Sequence, residues 1–253
     1  AAFAETALTW HQKGLAYMKA GNYKAAVAAF TNVLAEEPRS LHAYVARGTC
    51  HSWLGQYDQA VADFSKAAEI DPRTAEIYYL RGRVYWAKGA IQQALADYTA
   101  AIALAGNKPS AYAERGRLYA ATGRLDLALA DYSAAIEYER GNENHYLARG
   151  LVYAKKGDND AALADFNIAL ALNPASAQAY KFRGALFERK KDSQQALADF
   201  DRALELQPDD GEAYMFRGNL RRRLELYRAA VADYDKAIEH KYRKVHLAYY
   251  YKG

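Results

Sequence analysis

The stretch YLARGLVYAKKG, residues 146–157, places an arginine–glycine pair inside an otherwise amphipathic helical pattern. Glycine in a helix interior costs about 1 kcal/mol relative to alanine, so Gly150 requires a compensating contact. The same dipeptide recurs at a constant spacing of 34 residues: Arg47-Gly48, Arg81-Gly82, Arg115-Gly116, Arg149-Gly150, Arg183-Gly184 and Arg217-Gly218. A constant period of this length predicts a protein built from tandem repeats.

The period divides the chain into a lead-in at residues 1–6, seven repeats, and the start of an eighth at 246–253. The repeats run 7–40, 41–74, 75–108, 109–142, 143–176, 177–210 and 211–245. Each repeat carries two apolar patterns with helical spacing. A glycine separates the two patterns in most repeats, where a helix end favours a residue free to take positive φ. Each repeat is therefore predicted to be a helix–turn–helix pair.

Eight positions within the repeat carry recurring residue types. In the fifth repeat, positions 4, 8, 11, 15, 20, 24, 27 and 32 are Tyr146, Gly150, Tyr153, Gly157, Ala162, Phe166, Ala169 and Pro174. This pattern resembles the tetratricopeptide repeat, and the resemblance extends from residue 7 to residue 253. It implies an all-α fold, a right-handed superhelical α-solenoid of antiparallel helix pairs. The eighth repeat stops after its first helix, as a truncated or capping unit would.

Two contacts are predicted to hold the helices of a repeat together. The glycine at position 8 is expected to face the small alanine at position 20, as Gly150 would face Ala162. The arginine at position 7 has a candidate partner in the aspartate at position 23. Both are absent from the first repeat, which has Lys13 and Ala29 instead, and this favours an arginine–aspartate pair within one repeat. Pairing between repeats stays open at this point.

Composition limits the classes of function. The chain has 34 basic and 30 acidic residues among 253, too even a balance for a dedicated nucleic-acid-binding protein. The single cysteine, Cys50, excludes an internal disulfide framework. No apolar run approaches the roughly 20 residues that span a bilayer. We expect a soluble protein, with the cytoplasm preferred; an exported location stays open because the sequence begins without methionine.

Residues with catalytic chemistry form no recognisable constellation. The six histidines show no metal-ligand spacing on one helix face, and the serines show no nucleophile-elbow pattern. His51 replaces the tyrosine at position 11 and is expected to pack there. Cys50, beside it, is expected to be an inert thiol. The sequence therefore predicts a protein that is not an enzyme and has no cofactor or metal.

The resemblance implies a concave groove, lined by the first helix of each repeat, that binds a peptide or partner protein. The fold does not require specific residues at positions 2, 5, 6, 9, 12 and 13 of that helix. Aromatic and basic residues recur there, with one asparagine, and these are the candidate binding residues: Trp53, Tyr79, Arg83, Trp86, Arg117, Lys155, Lys181, Phe182, Arg189, Phe216, Asn219 and Arg222. Such a groove favours an acidic or carboxylate-bearing partner.

Three alternatives accompany this prediction. Neighbouring repeats could simply pack the aromatic residues while the basic residues face solvent. The chain could form a homo-oligomer through its C-terminal end, where the eighth repeat is incomplete. It could also bind a polyanion through the basic run at 221–223, although we do not expect nucleic acid to be the partner. Binding dominated by phosphates would weaken steeply with salt.

Overall fold

The structure, a computed structural model, describes residues 6–240. Its described part contains fourteen α-helices of 13 or 14 residues and no β-strand. The helices are α1 (Ala7–Lys19), α2 (Tyr23–Glu36), α3 (Leu41–Trp53), α4 (Tyr57–Ile70), α5 (Ala75–Ala87), α6 (Ile91–Leu104), α7 (Pro109–Ala121), α8 (Leu125–Tyr138), α9 (Glu143–Lys156), α10 (Asn159–Leu172), α11 (Ala177–Arg189), α12 (Ser193–Leu206), α13 (Gly211–Arg223) and α14 (Tyr227–Glu239). The predicted lead-in, apart from Thr6, and the eighth repeat lie outside the described residues.

The chain divides between Tyr138 and Glu139 into two compact units. The first unit contains α1 to α8, and the second contains α9 to α14. Within each unit every odd-numbered helix packs against the even-numbered helix that follows it, and consecutive pairs pack on one another. Because only about three residues connect the helices of a pair, the two run antiparallel. Each unit is thus a stack of helical hairpins, as predicted.

The turn inside each hairpin depends on one residue with positive φ. In five repeats this residue is the glycine at position 15, and Gly157 takes a φ of 93° as the sequence predicted. The sixth and seventh repeats place Lys191 and Glu225 there, with φ values of 63° and 61°. A left-handed conformation costs a residue with a Cβ roughly 1–2 kcal/mol. These two turns are therefore strained relative to the other five.

We expect Lys191→Gly to stabilise the protein. Glycine relieves the left-handed strain but loses more backbone entropy on folding, so the net gain should be about 0.5–1 kcal/mol in the free energy of unfolding. Urea denaturation followed by circular dichroism measures this difference. The reverse change, Gly157→Lys, is the matched control and should destabilise. A Lys191→Gly variant less stable than the parent would contradict this account of the turn.

The buried core of each repeat lies between its two helices. The alanine at position 20 and the aromatic residue at position 24 are buried in all seven repeats. These aromatic residues are Phe30, Phe64, Tyr98, Tyr132, Phe166, Phe200 and Tyr234. A Cβ added at Gly150 would lie 2.7 Å from Phe166 Cε1 and 3.2 Å from Asp165 Cβ. The atoms nearest to that Cβ belong to Phe166 and Asp165 and not to the predicted Ala162, so the position-24 ring is the closest neighbour of Gly150. In the fourth repeat the position-20 residue is among the nearest, with the Ala128 carbonyl oxygen 3.4 Å from the Cβ that Gly116 lacks.

The arginine at position 7 pairs with the aspartate at position 23 of the same repeat, as the sequence favoured. Six such pairs occur among the described residues: Arg47–Asp63, Arg81–Asp97, Arg115–Asp131, Arg149–Asp165, Arg183–Asp199 and Arg217–Asp233. In the sixth repeat Arg183 donates Nε to Asp199 Oδ2 at 2.8 Å and Nη2 to Oδ1 at 2.7 Å. Its Nη1 donates to Asn167 of the preceding repeat at 2.8 Å. One guanidinium therefore joins two helices of its own repeat to the repeat before it.

Candidate functional site

The first helices of the first four repeats carry a continuous surface in the first unit. An open cavity of about 460 Å³ lies between α1, α3 and α5. Its walls are mostly apolar: His11, Leu15, Met18, Leu41, His42, Val45, Ala46, Thr49, Thr74, Glu76 and Ile77. Leu15 is 49% exposed. An exposed leucine beside a largely apolar hollow can receive an apolar side chain of a partner.

A second, smaller cavity of about 210 Å³ adjoins the first, because Thr49 lines both. Trp53, Tyr57 and Leu80 contribute apolar walls, and Arg83 lies among its lining residues. Trp53 stacks on Tyr23 at a ring-centroid distance of 5.8 Å and an interplanar angle of 8°, yet it remains 67% exposed. A large aromatic held in place while most of its surface meets solvent is suited to anchor a partner.

Beyond these cavities the surface becomes aromatic and cationic. The Arg83 guanidinium lies 5.9 Å from the centre of the Tyr79 ring, and Lys108 Nζ lies 4.6 Å from the same ring. The Arg117 guanidinium lies 5.4 Å from the centre of the Trp86 ring. Cations at these distances from aromatic rings are held by cation–π attraction. We call the two cavities together with Tyr79, Trp86 and Arg117 the first-unit face.

The charges of this face are unequally compensated. Arg117 pairs with Glu114, one of its two hydrogen bonds measuring 2.9 Å, and Lys108 pairs with Glu76. Within residues 6–240, Arg83 forms no ion pair with a carboxylate, and its side chain is exposed. The three cations and the two glutamates, Glu76 and Glu114, therefore sum to one net positive charge. This charge is that of Arg83, because the other two cations are paired.

The aromatic candidates of the first unit differ in exposure. Tyr79 and Trp86 are half-buried and pack against a core cluster that contains Leu95 and Leu118. Packing between repeats therefore buries part of the surface of Tyr79 and Trp86, which agrees with the alternative that neighbouring repeats pack the aromatic residues. Trp53 is mostly exposed even though one face stacks on Tyr23, and the repeat pattern does not require a tryptophan there.

In the second unit, Lys181 has a different environment from the one the sequence suggested. Its side chain is buried, and Nζ donates to Asp210 Oδ2 at 2.7 Å and to Glu212 Oε2 at 2.9 Å. Burial opposes its charge, but the bonds to Asp210 and Glu212 prevail, so the pKa of Lys181 is raised. This ammonium is neutralised inside the protein and joins α11 to the start of α13.

The remaining candidates of the second unit are largely engaged internally. Phe216 is half-buried against Phe200, and Asn219 accepts a hydrogen bond of 3.1 Å from Tyr234. Phe182 is half-buried beside the Lys181 ammonium, at 5.3 Å. Arg189 is exposed and donates to the carbonyl of Ala154. Lys155 and Arg222 are exposed as well. This unit presents cations without an accompanying exposed aromatic among the candidates.

The sequence reasoning missed the apolar part of the first-unit face. Leu15 and Thr49 stand at position 9, where the third and fourth repeats have Arg83 and Arg117. The change from uncharged to basic residues at this one position along the first four repeats was a readable signal. Because the candidate residues were grouped as one basic and aromatic set, their order along the repeats was not predicted.

Cys50 and His51, two residues with reactive side chains, are buried or engaged by neighbours. Burial raises the pKa of the Cys50 thiol to about 11, so the thiol stays protonated at neutral pH. His51 forms a hydrogen bond of 2.6 Å between Nδ1 and Gln56, and its Nε2 lies 3.8 Å from Asp63. In residues 6–240 no three histidine, cysteine, aspartate or glutamate side chains are grouped to hold a metal ion. In the same range every helix is too short or too polar to cross a membrane.

Paired helices stacked in register, with one arginine–aspartate pair in six repeats, define a helical-repeat protein. Models of known families agree. Those described as TPR repeat match residues 54–89 and 116–157, and those described as Tetratricopeptide repeat match 7–40, 75–108, 147–211 and 189–246. The chain belongs to the tetratricopeptide-repeat family. Its fold is that of a protein–protein interaction scaffold.

Solved structures support the same assignment. A tetratricopeptide repeat protein from Parabacteroides merdae is 19% identical, with a TM-score of 0.76 over 97% of each chain, and shows likeness of fold alone. MamA is 27% identical, with a TM-score of 0.62 over 69% of this chain and 95% of its own. YrrB, described as a TPR protein with an unusual peptide-binding site, is 26% identical, with a TM-score of 0.62 over 74% of this chain and 97% of its own. No curated protein sequence matches the chain significantly.

Proposed function

We propose that this protein is a non-catalytic scaffold that binds an extended segment of a partner protein along the first-unit face. The segment carries apolar side chains followed by at least one acidic residue. The observation that carries the proposal is Trp53, which is 67% exposed beside a cavity whose lining includes Arg83. The peptide-binding site described for YrrB, a protein 26% identical to this chain, supports binding of a peptide.

The order of chemistry along the face supports an extended ligand. The largely apolar cavity of about 460 Å³ meets the Trp53 cavity at Thr49, and the cationic cluster follows at α5 and α7. Apolar burial contributes about 25 cal/mol per Å² removed from water. The net positive charge at Arg83 favours an anionic group and discriminates against a basic one. Apolar anchoring thus supplies affinity, and charge supplies orientation.

The basic run at 221–223 gives little support to polyanion binding. Arg221 donates to Asp233 Oδ2 at 2.9 Å, and Arg223 lies 2.7 Å from Glu188. At least two of the three arginines therefore already have carboxylate partners within the second unit. The sequence argument for a homo-oligomer rests on residues 246–253, which lie outside the described residues.

A peptide selected from a random dodecapeptide library should bind the protein and should combine apolar and acidic residues. Trp53→Ala should weaken that peptide about tenfold or more, because truncating an exposed aromatic anchor removes a dominant contact. Fluorescence anisotropy with the labelled peptide measures the change. The variant should fold normally, since most of the Trp53 side chain meets solvent.

Tyr227→Ala is the matched control, because Tyr227 is 60% exposed and lies on α14 in the second unit. It should bind the peptide as the parent does. Equal affinities of Trp53→Ala and the parent would exclude the first-unit face as the binding surface. If no peptide is selected and sedimentation velocity shows concentration-dependent association, a second copy of the chain replaces the peptide as the partner.

A further inference from the structure

The turn between α13 and α14 differs from the two preceding hairpin turns of the second unit. It consists of Leu224, Glu225 and Leu226, and we call it the seventh turn. Both leucines are exposed, Leu224 at 38% and Leu226 at 50%. The same three positions in the fifth and sixth repeats hold only glycine and charged residues, Lys156-Gly157-Asp158 and Lys190-Lys191-Asp192. Of these three turns, only the seventh presents leucine to solvent.

Local physical chemistry disfavours the residues of the seventh turn. Glu225 has a φ of 61°, a left-handed conformation that strains a residue with a Cβ. Leu226 is the N-cap residue of α14 and makes no capping hydrogen bond, whereas Asp158 and Asp192 cap α10 and α12 at the same position. Leucine is among the poorest N-cap residues. Local sequence choices that lower stability in this way point to a function for the turn.

The charge of the seventh turn is that of Glu225. This residue is exposed, and within residues 6–240 its carboxylate forms no ion pair. Arg222 and Arg228 flank the turn on α13 and α14, and Arg223 lies 2.7 Å from Glu188, which compensates its charge. The turn itself therefore presents one uncompensated carboxylate between two exposed leucines.

The first-unit face has the complementary chemistry. Its largely apolar cavity of about 460 Å³ lies within the size range of cavities that hold ligands. The adjoining cavity of about 210 Å³ is lined by Trp53 and Arg83. Within residues 6–240, Arg83 is a cation without a carboxylate partner, as Glu225 is a carboxylate without a cationic one. Leucines match the apolar cavities, and the two unpaired charges are opposite in sign.

We infer that the seventh turn of one copy of the chain binds the first-unit face of another copy. The leucines enter the apolar cavities, and Glu225 pairs with Arg83. This inference rests on the proposed function because it uses the same face, but the ligand is a folded turn in place of an extended segment. The two surfaces differ, so the contact is heterologous, and it builds closed rings or open chains of copies.

Sedimentation velocity of the full chain across a concentration series tests the association. A contact made by one turn is small, so we expect weak association that grows with concentration. An excess of the peptide selected from the library should return the protein to monomers, because turn and peptide occupy the same face. The inference is overturned if the parent stays monomeric at its highest soluble concentration, or if association persists with the face saturated by peptide.

Charge reversal tests the pairing of Arg83 with Glu225. Arg83→Glu and Glu225→Arg should each weaken association about tenfold or more, since each places like charges opposite one another. An equimolar mixture of the two variants should associate as the parent does, because either contact formed between them joins opposite charges. A mixture that stays monomeric would contradict the pairing. Lys191→Glu is the matched control, since Lys191 has the same position and a positive φ in the sixth turn, and it should associate as the parent does.

Leu226→Ser separates association from folding. Serine is a favourable N-cap residue, so the melting temperature of this variant should rise. Association should weaken about tenfold at the same time, because an apolar contact between copies is lost. If the variant melts lower than the parent, Leu226 serves the fold, and the argument from an unfavourable turn is wrong.

The two proposals can fail separately. If Leu226→Ser and Glu225→Arg associate as the parent does while Trp53→Ala weakens the library peptide, the seventh turn has no role and the scaffold proposal stands. If the mixed charge variants associate but no library peptide binds, the first-unit face serves self-association alone. If Trp53→Ala changes neither peptide binding nor association, both proposals are wrong.

Discussion

Asp199→Ala is expected to lower the free energy of unfolding by about 3 kcal/mol, because it leaves the partly buried Arg183 charge without its partner. The Asp199 side chain is 7% exposed and the Arg183 side chain 21%, so the pair is largely removed from water. The hydrogen bond to Asp199 is the main cause that raises the pKa of Arg183. The same guanidinium lies 5.5 Å from the Tyr180 ring centre and 5.8 Å from that of Phe187, which fixes its position.

We expect the lower stability of Asp199→Ala to come from the uncompensated charge of Arg183 and not from the smaller volume of alanine. Replacing both partners by leucine removes the charge as well, so Arg183→Leu with Asp199→Leu should recover much of the stability lost in Asp199→Ala. Urea denaturation gives the free energies, and hydrogen exchange should show earlier opening of α11 and α12. Glu69→Ala is the control: its partner Lys66 is 58% exposed, and the change should cost less than about 1 kcal/mol.

Gly150→Val is expected to destabilise the protein by about 1–3 kcal/mol through overpacking. The added Cβ alone would lie 2.7 Å from Phe166 Cε1 and 2.9 Å from Cδ1, closer than side chains pack. Phe166 is 1% exposed, so its ring has no solvent-filled space into which to move. Far-UV circular dichroism during urea denaturation measures the change in the free energy of unfolding.

Alanine separates this steric effect from helix propensity. Gly150→Ala and Gly116→Ala gain the same intrinsic propensity, about 1 kcal/mol. At Gly116 the nearest atom is Asp131 Cβ at 3.2 Å and the Tyr132 ring lies 3.5 Å away, so the new methyl group meets less resistance. Gly150→Ala should therefore be the less stable of the two. Equal stability of both alanine variants would refute the assignment of the ring contact.

Several contacts could be predicted from the sequence because they repeat. The joint absence of arginine and aspartate from the first repeat favoured pairing within a repeat, and this prediction is confirmed at Arg47–Asp63. The sequence did not predict that Phe166 would be the closest neighbour of Gly150, since Ala162 and Phe166 lie one turn apart on the same helix face. Helical spacing identifies that face, but the size and direction of the Phe166 ring decide which residue meets the glycine.

Binding residues were harder to predict, because their exposure depends on neighbours that do not follow the repeat. Lys181 stands at a position that the fold leaves open, yet Asp210 and Glu212 enclose its ammonium. Those carboxylates belong to the end of the sixth repeat and the start of the seventh. The buried hydroxyl of Tyr98, which forms no hydrogen bond within residues 6–240, is equally local to one repeat.

The 34-residue period was enough to predict the helical hairpins, their order along the chain and the pairing of arginine with aspartate. These features can be predicted from the period because each depends on contacts within a repeat or with the next repeat, and the residues that make those contacts recur along the chain. The exposure of Trp53, the neutralisation of Lys181 and the uncompensated charge of Arg83 emerged only in three dimensions. The burial and ion pairing of a side chain depend on residues from several helices. Because these neighbouring residues differ from repeat to repeat, the repeat pattern does not predict them.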